Sequence, residues 1–200
     1  MGHTDLPLSV AGREQLTRLG EAWPLPRPAT IVASDLVRAR DSASLLAAGW
    51  RGAILTTDPR LREMNFGRWD GESWDEIHRV EPAELARWGE RWSDGSRAPE
   101  GEGFADVMHR VASWLEDALH DAHAHGRREI VVVAHGGSIR ALLVHALGLP
   151  CELAFRLRLD HARVTGLWFP DGGLAAGSEL AYLNSDLPGR SWTGRDVPEG

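Results

Sequence analysis

The chain has 200 residues, 42% apolar and 26% charged, which is enough to bury the core of one α/β unit. Its net charge of −7 argues against nucleic acid or an anionic membrane as a general partner, and no stretch approaches the roughly 20 apolar residues of a membrane span. All 22 basic residues are arginine, which excludes lysine nucleophiles and phosphate-loop lysines, and the lone Cys151 excludes an internal disulfide or a cysteine metal cluster.

Met1 to Asp5 leads into no apolar leader, so a cytoplasmic protein is expected. Ser9 is a candidate N-cap for a helix running to about Trp23, which the Pro-rich segment 24–28 ends. Thr30 to Ser34 reads as a short strand, Leu36 to Ala48 as a helix, and Ala53 to Thr56 as a second strand. A loop from Asp58 to Asp70 follows. Ser73 to Trp92 is helical with an interruption near Pro82, and the Gly/Pro-bearing stretch from Ser93 to Gly103 is the expected mobile segment. Phe104 to His125 is a long amphipathic helix. Glu129 to Ala134, a β-branched run, is expected to be a strand buried on both faces. Ile139 to Leu149 reads as a helix, with strands at Leu153 to Leu159 and Gly166 to Phe169. The tail at 185–200 is Gly/Pro-rich and reads as loose. Alternating strands and helices predict one α/β domain over 1–200, a three-layer α/β/α sandwich on a mostly parallel sheet.

Three segments carry chemistry. Val131 to Ala134 ends in His135, followed by Gly136 and Gly137, which read as a tight turn before a helix. That places an imidazole where open α/β sheets bind ligands, with backbone amides beside it for an anion; the other reading is a histidine that caps the helix. Arg38, in the first turn of the helix after Ser34-Asp35, suits bidentate phosphate binding, or is a surface arginine. Glu63 lies among Leu61, Met64 and Phe66. Desolvation there would raise its pKa and make it a proton donor; alternatively it pairs with Arg62 or Arg68 on an exposed loop. His120, His123 and His125 share the end of one helix and read as a solvated face rather than a metal site. Trp69 could shield a pocket near Glu63.

In order, these segments resemble the histidine phosphatase (phosphoglycerate mutase-like) superfamily. The resemblance rests on Gly2-His3-Thr4-Asp5-Leu6-Pro7-Leu8-Ser9 with Gly12-Arg13-Glu14-Gln15, on Ser34-Asp35-Leu36-Val37-Arg38-Ala39, on Leu61-Arg62-Glu63-Met64-Asn65-Phe66-Gly67-Arg68-Trp69-Asp70-Gly71, and on Val133-Ala134-His135-Gly136-Gly137-Ser138-Ile139-Arg140. It implies a phosphoglycerate mutase-like fold and a small phosphorylated substrate. It implies that His135 steadies the transferring phosphoryl group, that Arg38 belongs to the phosphate pocket, and that Glu63 protonates the leaving oxygen. Gly136 would offer a backbone amide to the phosphate, and Gly2 lies where the family backbone approaches substrate. No metal or other cofactor is expected, because Arg and His can supply the positive field.

The resemblance departs at Gly103, where the family's usual Ser would offer a hydroxyl. It departs more seriously in that no Arg-His-Gly run occurs in the 200 residues. In the family that run ends a first, central strand beside the one carrying His135, and its histidine accepts the phosphoryl group. The expectation is therefore a sheet lacking that strand and a chain lacking its nucleophile. A phosphomonoesterase is the leading reading, since the run from Leu61 to Gly67 resembles the phosphatase branch. A phosphoglycerate mutase is one alternative. A catalytically dead pseudophosphatase that binds phosphorylated ligands or a protein partner is the other.

Overall fold

Three short apolar runs pair in parallel and organise the chain. The computed structural model describes residues 2–23, 30–92, 95–127, 129–170, 173–174 and 177–187. Its elements are α1 (Val10–Ala22), β1 (Thr30–Ala33), α2 (Val37–Ala47), β2 (Ile54–Thr57), α3 (Trp74–Val80), α4 (Pro82–Arg91), α5 (Phe104–Ala124), β3 (Val131–Val133), α6 (Gly136–Leu147), β4 (Val164–Trp168) and β5 (Glu179–Ser185), with 3-10 turns at Pro59–Leu61, Gly67–Trp69 and Cys151–Arg156. β1 lies between β2 and β3 and pairs with both in parallel. β4 and β5 form a separate antiparallel pair.

The alternation of side chains along β1 and β3 separates two apolar layers. Ile31, Ala33, Val131 and Val133 pack with Leu19, Ala43 and Leu46, on the side of α1 and α2. Val32, Val132 and Ala134 pack with Trp114, Leu115 and Ala146, on the side of α5 and α6. Helices on both faces of a parallel sheet give the expected three-layer α/β/α arrangement. The parallel sense also brings the carboxyl ends of β1 and β3 to one edge, where Ser34 donates from its amide to the Val133 carbonyl (2.9 Å).

Most boundaries agree with the sequence. Ser9 caps α1 through its hydroxyl, which accepts from the Gly12 amide at 3.1 Å, and Pro82 opens α4 as expected of a first-turn proline. The segment 24–28 and the tail beyond 187 lie outside the described residues.

Several readings need correction. Leu153 to Leu159 is not a strand, because a 3-10 helix covers Cys151–Arg156; a short apolar run does not distinguish the two. β3 is shorter than the run 129–134 and only half-buried, since β1 is its one strand neighbour among the described residues. α6 begins at Gly136, not Ile139, so the two glycines form its first turn. β5 carried no clear periodicity and went unread. The stretch 95–103, expected to be mobile, is tied down: Arg68 donates to the Pro99 carbonyl (3.0 Å) and Glu102 to the Asn65 carbonyl (2.7 Å). No helix among the described residues is long and apolar enough to cross a membrane.

The crossing of the 64–67 and 99–101 segments depends on glycine. Gly67 has φ +56°, and a Cβ there would lie 2.1 Å from the Pro99 carbonyl oxygen. Gly52 has φ +80° but open space around it. Gly52→Ala is therefore expected to cost about 1 kcal/mol, the backbone term alone. Gly67→Ala adds a backbone clash and should cost roughly 2 kcal/mol or more. Urea unfolding of the two variants checks this; equal losses would mean that the crossing yields freely.

Candidate active site

The strand ends at the sheet edge carry the three side chains singled out by sequence. His135 is the N-cap residue of α6, yet its ring caps nothing. Its amide and carbonyl instead close on the Ser138 hydroxyl, both at 3.1 Å. The ring turns towards α2, where Arg38 donates from Nε to Nδ1 (3.3 Å). A guanidinium has no acceptor, so Nδ1 must accept and the ring proton must sit on Nε2. Nε2 is buried and has no hydrogen-bond partner among the described residues. Burial, reinforced by the positive charges of Arg38, Arg110 and His3, lowers the His135 pKa to about 3.

Arg38 is not a surface arginine. Its other two nitrogens donate to the Thr4 carbonyl (2.9 Å) and the Gly2 carbonyl (2.7 Å). Asp5 in turn accepts from the Val37 amide at the start of α2 (2.7 Å). Gly2 is required by packing: at φ +32°, a Cβ would collide with the Asp70 carboxylate and the Met64 carbonyl. Gly2 thus ties the N-terminal segment to the loop that bears Glu63.

Glu63 does not pair with either neighbouring arginine. Arg62 forms a bidentate pair with Asp35 (2.7 and 2.5 Å), whose hydrogen bonds hold the Asp35 carboxyl below its usual range. Arg68 turns to Glu81. Glu63 Oε1 accepts from the Met64 and Gly137 amides, both at 2.9 Å. The apolar wall expected around this carboxyl is replaced by amides, one of them at the positive end of α6. A Cβ on Gly137 would lie 2.2 Å from Glu63 Oε1, so its absence lets the carboxyl reach the α6 amide, whereas one on Gly136 would meet only the flexible end of Arg140 at 2.9 Å. Gly136 itself stands at the first helical position, beside His135.

Sequence reasoning missed Arg110. Its guanidinium lies under the Glu63 loop and donates to the Glu63 carbonyl (3.0 Å). The signal was available: Arg110 falls at helical spacing between Val107 and Trp114, both buried, where a charge needs a reason. Trp69, a candidate pocket wall, packs into a separate apolar cluster. It is buried with Ile77 and Ala98 and donates to Glu81 (2.8 Å). Gly103 is the N-cap residue of α5, and a Cβ there would lie 2.7 Å from the Ser96 carbonyl. Among the described residues, no group of His, Cys, Asp or Glu is placed to hold a metal ion.

Comparisons with known proteins bear on the family and the fold. The model of the histidine phosphatase superfamily (branch 1) matches residues 1–178. A glucosyl-3-phosphoglycerate phosphatase of Mycolicibacterium vanbaalenii is 38% identical over 159 residues, 76% of this chain and 68% of that protein. A Yersinia pestis protein named Probable phosphoglycerate mutase GpmB is 30% identical over 94% of this chain and 87% of its own length. Among solved structures, the α-ribazole phosphatase of Shigella flexneri superposes with TM-score 0.81 at 25% identity, covering 94% of this chain and 89% of that one. A mycobacterial glucosyl-3-phosphoglycerate phosphatase in complex with inorganic phosphate superposes with TM-score 0.79 at 30% identity, covering 93% and 91%. The fold is that of the phosphoglycerate mutase-like proteins.

The His135 environment has a consequence for stability. Its folded pKa of about 3 lies below the unfolded value near 6.5, so the unfolded chain binds the proton more readily. The contribution of this group is complete above pH 6.5 and is lost as pH falls towards 3. Between pH 7.5 and 5 it should remove about 2 kcal/mol of unfolding free energy. Denaturant titrations at the two pH values test this, with His135→Gln expected to flatten the difference. An unchanged slope in His135→Gln would mean that the folded protein protonates this ring freely.

Proposed function

The chain belongs to the histidine phosphatase superfamily, branch 1, and from that we propose that it serves to hydrolyse small phosphate monoesters through a phosphohistidine. The observation that carries this reading is the convergence of Arg38, His135, Glu63 and the first amides of α6 at one sheet edge. Phosphoryl transfer needs positive charge around the equatorial oxygens and a proton for the departing alkoxide, and little else from the protein. In this reading the Nε2–H of His135 and the guanidinium of Arg38 hold the phosphoryl oxygens, and the Gly136 amide lies alongside them. As the P–O bond breaks and the N–P bond to the accepting histidine forms, Glu63 in its acid form gives its proton to the departing alkoxide oxygen, which leaves as the alcohol. The resulting carboxylate then takes a proton from the water that cleaves the phosphohistidine.

The accepting histidine is not among the sequence motifs of the 200 residues, which hold no Arg-His-Gly run. The pairing of the sheet supports a further strand as its carrier. β3 and β4 line the same two apolar clusters, yet each uses only one edge for pairing among the described residues. A parallel strand seated between them would pair both free edges. Each buried backbone group so satisfied is worth about 1–3 kcal/mol. In this reading the accepting histidine stands at the end of such a strand, as in the family's Arg-His-Gly run.

Extending the chain with a strand that ends in Arg-His-Gly should therefore raise the melting temperature and bring phosphate release together. Without it, turnover of p-nitrophenyl phosphate should be very slow. A melting temperature unmoved by the extension would defeat the strand assignment. An extended chain that binds phosphate but never releases it from an ester would be a pseudophosphatase. Interconversion of 2- and 3-phosphoglycerate without phosphate release would mark a mutase.

In an active chain, Glu63→Gln should slow an alkyl phosphate by about 10²-fold or more and p-nitrophenyl phosphate far less, because the aryl oxide leaves unaided. Arg38→Ala should weaken both substrates alike, since it holds the phosphate they share. Equal losses for the two substrates in Glu63→Gln would remove Glu63 from the proton-donor role.

A further inference from the structure

We propose that Arg110 is the positioning residue of the acid loop, holding the Glu63 backbone where its carboxyl can reach the leaving oxygen; this rests on the reading of Glu63 as the proton donor. The chain leaves a single 3-10 turn at Leu61 and runs irregularly from Arg62 to Asn65, so the carbonyls at and after the end of that turn have no ladder or continuing helix to bond them. Arg110 supplies the partners from α5. Its Nη1 donates to the carbonyls of Arg60 (2.6 Å) and Arg62 (2.7 Å), and its Nη2 to that of Glu63 (3.0 Å).

Glu102 completes the clamp. Its carboxylate accepts from Arg110 Nε (2.9 Å) and Nη2 (3.1 Å). The same carboxylate accepts from the Asn65 amide (2.9 Å), while the Glu102 amide donates to the Asn65 carbonyl (2.7 Å). Thus the backbone on both sides of Glu63 is fixed by one largely buried ion pair from a segment about 40 residues away. The two side chains are only 17% and 20% exposed. From the opposite side, His3 Nε2 bonds the Glu63 carbonyl (2.8 Å).

Only a planar guanidinium can grip a carboxylate along one edge and three carbonyls along the others. Lysine keeps the charge but not the fork. A misplacement of about 1 Å can cost on the order of 10²-fold in a positioned transfer. The loss should fall on the step that needs the proton, not on phosphate binding.

The test compares Arg110→Lys, Glu63→Gln and the double variant in a chain extended by the Arg-His-Gly strand, with glycerol 2-phosphate and p-nitrophenyl phosphate. Arg110→Lys is expected to lower kcat for the alkyl ester by roughly 10- to 100-fold with KM little changed, and to spare the aryl ester. Adding it to Glu63→Gln should cost little more, because both act on one proton. Equal losses on both esters, or losses that multiply in the double variant, would make Arg110 a general structural support and overturn the proposal. Glu63→Gln without leaving-group discrimination would instead sink the reading of Glu63 itself. A measurement free of turnover is amide hydrogen exchange in the 200-residue chain. Arg110→Lys, and more mildly Glu102→Gln, should speed exchange at Met64 and Asn65 about tenfold while β1 is unchanged. Unaltered exchange at those two amides would overturn the clamp directly.

Discussion

The guanidinium of Arg38 is the contact on which the site depends. It joins three segments that are distant in sequence: the N-terminal stretch through the Gly2 and Thr4 carbonyls, α2 by its own backbone, and α6 through the His135 ring. Because Arg38 can only donate, it fixes the imidazole tautomer and leaves the Nε2 proton on the far side. Because it stays charged, it also opposes protonation of the ring that it touches. One side chain thereby fixes the tautomer of a histidine 97 residues away and adds to the burial that keeps its ring neutral.

The same economy of means appears in the acid loop. Arg38 and Arg110 spend most of their donors on main-chain carbonyls rather than carboxylates. Arginine serves here as a bracket for backbone that has no secondary structure of its own, a use that lysine's compact ammonium fits poorly. Asp70 plays the reciprocal part, accepting from the His3 amide (2.9 Å) and the Phe66 amide (3.2 Å). With Gly2 pressed against Asp70, the N-terminal segment and the loop after Glu63 form one layer over the sheet edge.

The parallel sheet accounts for why these layers meet. β1 and β3 both point their carboxyl ends at the same edge, and each is followed at once by a helix whose first turn lies against it. Two helix N-termini and two arginines therefore concentrate positive potential in a chain whose net charge is −7. Net charge is a property of the whole surface, and the site answers to a few local groups.

Composition, apolar runs and turn residues were enough to read α1, β1, α2, α5 and the α/β class, because those elements follow from local periodicity and capping. The motif order also marked Arg38, Glu63 and His135, since a strand–turn–helix puts its turn at the sheet edge wherever the sheet is parallel. What periodicity could not decide was partnership. Whether Glu63 faced Arg62, Arg68 or α6 depended on which of several nearby donors the folded loop would meet, and Asp35 had to claim Arg62 first. Arg110 was invisible for the same reason: its role consists of bonds to carbonyls some 50 residues back. The half-burial of β3 and the separation of β4 from it were likewise set by neighbours, not by the β-branched run itself. Sequence fixes what each residue can donate, accept or bury; only the tertiary structure chooses among partners, because that choice is made by distance.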